Sequence, residues 1–280
     1  MHRRCHPELG SGYKNKDKNM NLQTDKFFLI AGPCVVESKE ICFEIAKQLF
    51  EITTTLKIPF VFKASYKKAN RTRLDSFTTI GEEKALQILA EVKSTFNIPV
   101  LTDVHETADC ELVKNIVDII QIPAFLCRQT ELLLAAGKTG KTINIKKGQF
   151  VSAEMMKFTV DKILSTGNKN IMLTERGTMF GYNDLIVDFR SIQIMKEYNF
   201  PVVFDATHSI QQPNNTNGIS GGKPEFIETL AKCAIAAGAN GIFLETHPNP
   251  KNALSDGENM LALSEVKNLL EKLVKIKQTV

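Results

Sequence analysis

Eight short runs of apolar, β-branched residues punctuate this chain at intervals of roughly 20 to 40 residues, and stretches with helical periodicity fill the gaps. The runs cover residues 27–34, 60–65, 99–104, 119–124, 142–147, 171–176, 201–208 and 241–247. Between them lie segments such as EEKALQILAEVKSTF, which puts Ala85, Leu86, Leu89, Val92 and Phe96 on one helical face. Another is KPEFIETLAKCAIAAG, which stops at Gly238. Strands separated by helices pair in parallel, and eight such units close most economically into a (β/α)8 TIM barrel of the α/β class. The structural alternative is an open, doubly wound sheet. Its dinucleotide-binding version lacks support, because no Gly-x-Gly-x-x-Gly turn follows the first run.

In a barrel of this kind chemistry belongs at the C-terminal ends of the strands. Those ends read GPC, FKAS, LTDVHE, IIQIPAF, INIKKG, LTERG, FDATH and LETHP. Apolar strands that finish in Cys, Lys, Asp, Gln, Arg, His and Glu are more than a packing solution, since charges buried together must be compensated by one another or by ligands. Lys63, Lys68, Arg71, Lys146 and Arg176, with Arg128 added from a neighbour, outnumber the nearby acids Asp103 and Glu175. Guanidinium groups match phosphate and carboxylate in bidentate geometry, and lysines add compact charge. The clustering predicts a site for at least two anionic groups. Taken singly, each of these side chains also fits a surface charge or a barrel ion pair.

A second grouping is Cys34, His208, Glu245 and Asp256, from the first, seventh and eighth strand ends and the loop that follows. One thiolate, one imidazole and two carboxylates suit Zn, Fe or Mn better than Mg or Ca. The grouping depends on barrel closure, which alone makes the first and eighth strands neighbours. Each residue has a plainer use as well: Cys34 as core filler, His208 as a satisfied barrel histidine, Asp256 as a helix N-cap.

Composition narrows the setting. The 280 residues are 43% hydrophobic and 24% charged with a formal charge of +4, so a basic site must be local and a general nucleic-acid surface is not expected. No run of about 18 apolar residues exists for a membrane span, and no secretory signal opens the chain. A cytoplasmic location follows. The six cysteines have no short repeated spacing, which disfavours disulfides and a Cys-x-x-Cys zinc site and leaves Cys34 reduced. Residues 1–26 carry many Lys, Asn and Gly without apolar periodicity and read as a flexible extension, with Met20 an alternative start; the catalytic domain then spans 27–280.

GPCVVES, FKASYKKANRT, IIQIPAFLCRQTELLLAAGKTG, NIKKGQF, TERGTMFGYNDLIVDFRS, FDATHSIQQP, SGG and LETHPNPKNALSD occur in this order. Together they make residues 27–277 resemble the 3-deoxy-D-manno-octulosonate 8-phosphate synthases. The resemblance implies a TIM barrel that condenses phosphoenolpyruvate with D-arabinose 5-phosphate and water, releasing phosphate, for lipopolysaccharide precursor synthesis. It implies that Lys63, Ser65, Lys68, Gln121, Lys146 and Arg176 hold phosphoenolpyruvate. Asn70, Arg71 and Thr72 would meet arabinose 5-phosphate, with Arg71 on its phosphate and Arg128 reaching it from an adjacent subunit of a homotetramer. Thr72 stands where the family commonly has serine. Lys68, Asp103, Lys146 and His208 fall nearest the reacting atoms, with the role of Asp103 open.

The family has two branches, one with cysteine in the first-strand motif and a required divalent metal, the other with asparagine and none. Cys34, with His208, Glu245 and Asp256, resembles the metal-dependent branch, in which the ion orients the sugar aldehyde or activates water. The nearest rival function is that of the 3-deoxy-D-arabino-heptulosonate 7-phosphate synthases, whose usual KPRTSP-like segment is KANRT here. A metal-dependent sugar-phosphate aldolase and a non-catalytic sugar-phosphate-binding barrel are rivals of other classes.

Overall fold

The computed structural model describes residues 26–71, 73–179, 184–212 and 221–280. The expectations for Thr72 and, Lys26 aside, for residues 1–26 lie outside these. All eight runs form strands: β1 (Phe28–Gly32), β2 (Phe60–Lys63), β3 (Val100–Asp103), β4 (Ile119–Ile122), β5 (Thr142–Lys146), β6 (Ile171–Glu175), β7 (Val202–Asp205) and β8 (Gly241–His247). Each pairs in parallel with the next, and β1 pairs with β8, Phe28 opposite Gly241 through Gly32 opposite Glu245, which closes a (β/α)8 barrel. Among the described residues eight α-helices lie between and after the strands: α1 (Lys39–Leu56), α2 (Glu82–Phe96), α3 (Thr107–Val113), α4 (Thr130–Lys138), α5 (Met156–Leu164), α6 (Arg190–Lys196), α7 (Ile227–Ala236) and α8 (Val266–Lys277).

Local chemistry sets the joints. Ser38, the last residue of GPCVVES, caps α1 by accepting from the Ile41 N–H at 3.2 Å. Gly238 follows α7 at φ +95°, a backbone conformation that side chains resist. Gly32 is needed for another reason: a Cβ there would lie 2.0 Å from the Lys63 carbonyl oxygen, so β1 and β2 approach this closely only without one.

Two apolar layers follow from the two-residue period of a strand. Phe28, Ile30, Val61, Leu101, Ile119, Met172, Val203 and Phe243 fill the barrel interior. Their strand neighbours, among them Leu29, Phe62, Ile120, Ile143 and Leu244, face the helices and join the main core. The same parity, carried toward the C-terminal ends, decides which polar residues enter the mouth. Lys63, Asp103, Gln121, Lys146, Asp205 and Glu245 each lie two residues beyond an inward residue or continue its parity. Among the described residues no helix is long and apolar enough to cross a membrane.

Candidate active site

A cavity of about 1450 Å³ occupies the C-terminal mouth of the barrel. Lys63, Ser65, Lys68, Asn70, Arg71 and Asp103 line one side of it. Gln121, Lys146, Arg176, His208, Glu245 and Asp256 line the rest. Arg128 is exposed, lines none of it, and lends only its backbone carbonyl to Lys162.

Two buried ion pairs partition the mouth. The Lys63 ammonium meets Glu245 Oε1 at 2.5 Å and donates to the Cys34 carbonyl at 2.9 Å. Lys146 meets Asp205 Oδ2 at 2.6 Å and sits 3.7 Å from the centroid of the Phe243 ring. Glu175 is a correction to the sequence reading. It points away from the mouth, bonds the Arg176 and Gly177 N–H groups, and faces the buried Lys147 at 3.5 Å. Parity again explains this, since Lys147 and Glu175 are the outward neighbours of Lys146 and Arg176. The mouth is therefore a mixed-charge site, balanced by Asp205 and Glu245 where Glu175 had been expected to serve.

Among the groups left without a partner are several cationic or hydrogen-bond donors. Arg176 is 4% exposed and gives one N–H to Gln211 Oε1 at 2.7 Å, while its Nε and Nη1 have no partner. Lys68 has no carboxylate within ion-pair distance among the described residues. Burial pushes its ammonium down, but Cys34, Glu245, Asp103 and Asp256 together hold it above the ordinary value. The Ser65 hydroxyl is buried without a partner, as is the Arg71 Nε; Arg71 Nη1 donates to the Leu74 and Ser76 carbonyls at 2.8 and 3.0 Å. Gln121 accepts from Asn144 at 3.1 Å, which fixes its amide beside the cavity. Unpartnered buried donors beside a large cavity are the signature of a site built for an anion.

Asp103 faces His105, whose Nε2 lies 3.1 Å from its Oδ2. Burial alone would raise the Asp103 carboxyl; His105 outweighs it first, then Lys63 and Lys68, and the group stays well below the usual carboxylate range. Asp205 and His105 were not singled out from the sequence. The signal for Asp205 was present in FDATH, where an acid with inward parity precedes His208 by three residues.

The second predicted grouping assembles in part. Ligand atoms of Cys34, Glu245 and Asp256 all lie within 4.8 Å of one another. Cys34 Sγ is 3.6 Å from Asp256 Oδ2 and 3.4 Å from Ser255 Oγ. His208 stands outside this trio but next to it, its Nε2 3.8 Å from Glu245 Oε1. Its Nδ1 is 2.8 Å from Asp205 Oδ2, where an Nδ1–H donates to the carboxylate, and its Nε2 faces Glu245. Asp256 is no side-chain helix cap. It sits at φ +51° ahead of a short 3-10 turn with its carboxylate free to meet Cys34.

These donors fit a divalent transition metal. Burial and then the Glu245 carboxylate push the Cys34 thiol well up, so a thiolate here calls for a cation beside it. Glu245 Oε2 is buried with no partner. Burial pushes Glu245 up, but Lys63, His208, Lys68 and Lys146 hold it ionised, ready to act as a ligand.

With this geometry in place, comparison with known proteins decides the family. Residues 13–280 match the DAHP synthetase I family. The chain belongs to the DAHP synthetase I family. Curated members similar to it include the 2-dehydro-3-deoxyphosphooctonate aldolase of Koribacter versatilis, 49% identical over 268 residues, 95% of this chain and 96% of the relative. The protein of the same name from Brucella anthropi is 52% identical over 248 residues, 89% and 90% of the two chains. That from Rickettsia typhi is 50% identical over 261 residues, 93% and 95%.

Proposed function

We propose that this chain condenses phosphoenolpyruvate with D-arabinose 5-phosphate and water to give 3-deoxy-D-manno-octulosonate 8-phosphate and inorganic phosphate, a step toward lipopolysaccharide precursors. The observation that carries the reading is one cavity lined both by unpartnered cationic donors and by Glu245 and Asp256, with the buried Cys34 Sγ behind them, 3.6 Å from Asp256 Oδ2. The relatives' shared name points the same way.

Lys63, Ser65, Lys68, Gln121, Lys146 and Arg176 hold phosphoenolpyruvate, the free Nε and Nη1 of Arg176 donating to two anion oxygens. Asn70 and Arg71 hold the sugar phosphate at the rim, together with Thr72. Carbon three of phosphoenolpyruvate bonds to the sugar aldehyde carbon, and the aldehyde oxygen takes up a proton. Water adds at carbon two, losing a proton, and the hemiketal phosphate collapses as its carbon–oxygen bond to phosphate breaks. Fixed cations lower the cost of bringing two anions together and stabilise charge as it develops. Lys68, Asp103, Lys146 and His208 lie closest to this chemistry, with Asp205 orienting both Lys146 and His208. Cys34, His208, Glu245 and Asp256 would hold a divalent ion such as Zn, Fe or Mn, which supplies Lewis-acid polarisation of the sugar aldehyde or of water.

Arg128, exposed and outside its own cavity, serves a neighbouring copy in a homotetramer. The division into an extension over 1–26 and a catalytic barrel over 27–280, and a cytoplasmic location, belong to the same reading. The test is phosphate release from phosphoenolpyruvate with arabinose 5-phosphate or erythrose 4-phosphate, with and without chelator. Turnover should be far better with the five-carbon sugar and should fall with chelator. Equal kcat/KM for the two sugars would overturn the substrate assignment.

A further inference from the structure

The ligand trio comes from two stretches of chain that meet only in the folded protein: Cys34 just beyond β1, and the segment that leaves β8 at Glu245 and loops to Asp256. The base of this loop is tied to the barrel, since Thr246 and His247 pair with Leu261 and Ala262. Its middle is another matter. Asn252, Ala253 and Asn259 donate their N–H groups only to Asn249, Pro250 and Asp256 within the loop itself. Gly257 folds so close to Pro250 that a Cβ would lie 2.2 Å from the Pro250 carbonyl oxygen. The loop is held compact by its own backbone bonds and packs at Asn259 on Gly222, so its seat against the β1 segment is set by side chains.

Glu37 is what crosses the gap. It follows Cys34 by three residues, and its side chain is 8% exposed. Its Oε1 accepts from the Leu254 N–H at 3.0 Å, two residues before Asp256. Its Oε2 lies 3.5 Å from Nε2 of His247, two residues after Glu245, and that ring is 5% exposed. The other ring nitrogen of His247 is held by Asn249, 3.0 Å from its N–H and 2.8 Å from its carbonyl. Among the described residues, the only other hydrogen bonds between this loop and the β1 segment are those of Cys34 itself to Ser255 and Asp256. A buried carboxylate is costly unless its partners are specific, and here one oxygen accepts from the Leu254 N–H while the other faces His247 Nε2, a buried nitrogen with no hydrogen-bond partner of its own, both on the segment that carries Glu245 and Asp256.

We infer that Glu37 is a positioning residue: by holding Leu254 and His247 it sets the separation between Cys34 and the other two ligands of the trio. This rests on the metal-site reading above. Removing it leaves the ligands in place but lets the loop drift, and outer partners of this kind typically govern metal affinity by about 10- to 100-fold.

The experiment is titration of the metal-free full-length protein with Co2+ against a competing chelator, read by cobalt–thiolate absorption, alongside KM for phosphoenolpyruvate. Glu37→Ala should bind Co2+ about 10- to 100-fold more weakly, with KM for phosphoenolpyruvate unchanged. Glu37→Gln should recover most of the affinity. Its amide oxygen still accepts from Leu254, and its NH2 donates to His247 Nε2 once the imidazole proton moves to the nitrogen that faces the Asn249 carbonyl. If Glu37→Ala yields no soluble protein, Glu37→Asp replaces it, since a side chain one methylene shorter cannot keep both contacts. Unmodified affinity in whichever of these two variants is soluble, or no recovery in Glu37→Gln, would overturn the inference. Failure of the unmodified protein to bind Co2+, or undiminished binding by Cys34→Ala, would instead overturn the metal-site reading itself.

Discussion

Arg176→Met removes a buried cation and tests what that cation is for. Methionine fills similar volume on the same inward position but donates nothing. In the structure Arg176 offers two buried N–H groups, Nε and Nη1, with no acceptor. If both bind an anion, charged hydrogen bonds of roughly 1.5–3 kcal/mol each are lost. The sum, about 3–6 kcal/mol, is a fall of roughly 10²- to 10⁴-fold in kcat/KM for phosphoenolpyruvate. Stability should move the other way. The substituted protein no longer buries two unsatisfied donors, each costing about 1–3 kcal/mol, and gives up one charged hydrogen bond to Gln211 worth about 1.5–3 kcal/mol. Thermal melting of the ligand-free protein should therefore stay level or rise by a few degrees, at about 2–4 °C per kcal/mol for a domain of this size. Phosphoenolpyruvate at a hundredfold its Kd should stabilise the unmodified protein by about 2.7 kcal/mol and the variant far less at the same concentration. A lower melting point combined with unchanged kcat/KM would refute the argument, because it would make Arg176 a structural cation.

Three further outcomes follow from particular contacts. Gly32→Ala sets a Cβ 2.0 Å from the Lys63 carbonyl; it should cost about 1–3 kcal/mol or more in urea unfolding and lower activity by displacing Lys63, and unchanged stability would mean the strands can part freely. Asp109 accepts from the His105 and Glu106 N–H groups and from Lys67, and although burial pushes its carboxyl up, these partners hold it below the ordinary 3.8. The unfolded chain therefore binds the proton more readily, so this stability is present above about pH 4 and is lost as pH falls below it; Asp109→Asn should flatten that loss in acid melts, and an unchanged acid profile would count against the pairing. Chelation should abolish activity and a transition-metal ion restore it, whereas Cys34→Asn should keep measurable turnover in chelator; full activity of the unmodified enzyme after verified metal removal would return Cys34 to core filler.

The barrel was legible because its signal is local. Each strand is a short apolar run, and each run was visible without knowing its partners. The strand-end reading located Cys34, Glu245 and Asp256 because closure is a property of the count of strands, not of any one contact. Parity within a strand end was harder. KKG and TER each hold two charged residues in a row, and only the register of the folded strand turns Lys146 and Arg176 inward while Lys147 and Glu175 pair behind them. Asp205 went unremarked for a related reason: an acid next to His208 reads as one more charge until its two partners, Lys146 and His208, are seen to come from different strand ends. Glu37 passed without remark inside GPCVVES, since nothing local reveals that its carboxylate ends on residues more than 200 positions away.

Closure at the seam between β1 and β8 also has a consequence for synthesis. Cys34 and Asp256 are 222 residues apart, so at about 5–20 residues per second the ribosome takes roughly 10–45 s to make the second ligand after the first. Throughout that interval the nascent chain carries the Cys34 thiol without both of the carboxylates that gather around it in the folded barrel. The trio can assemble only once the last strand has left the exit tunnel and zipped onto the first, so an ion captured there would report completed folding rather than initiate it.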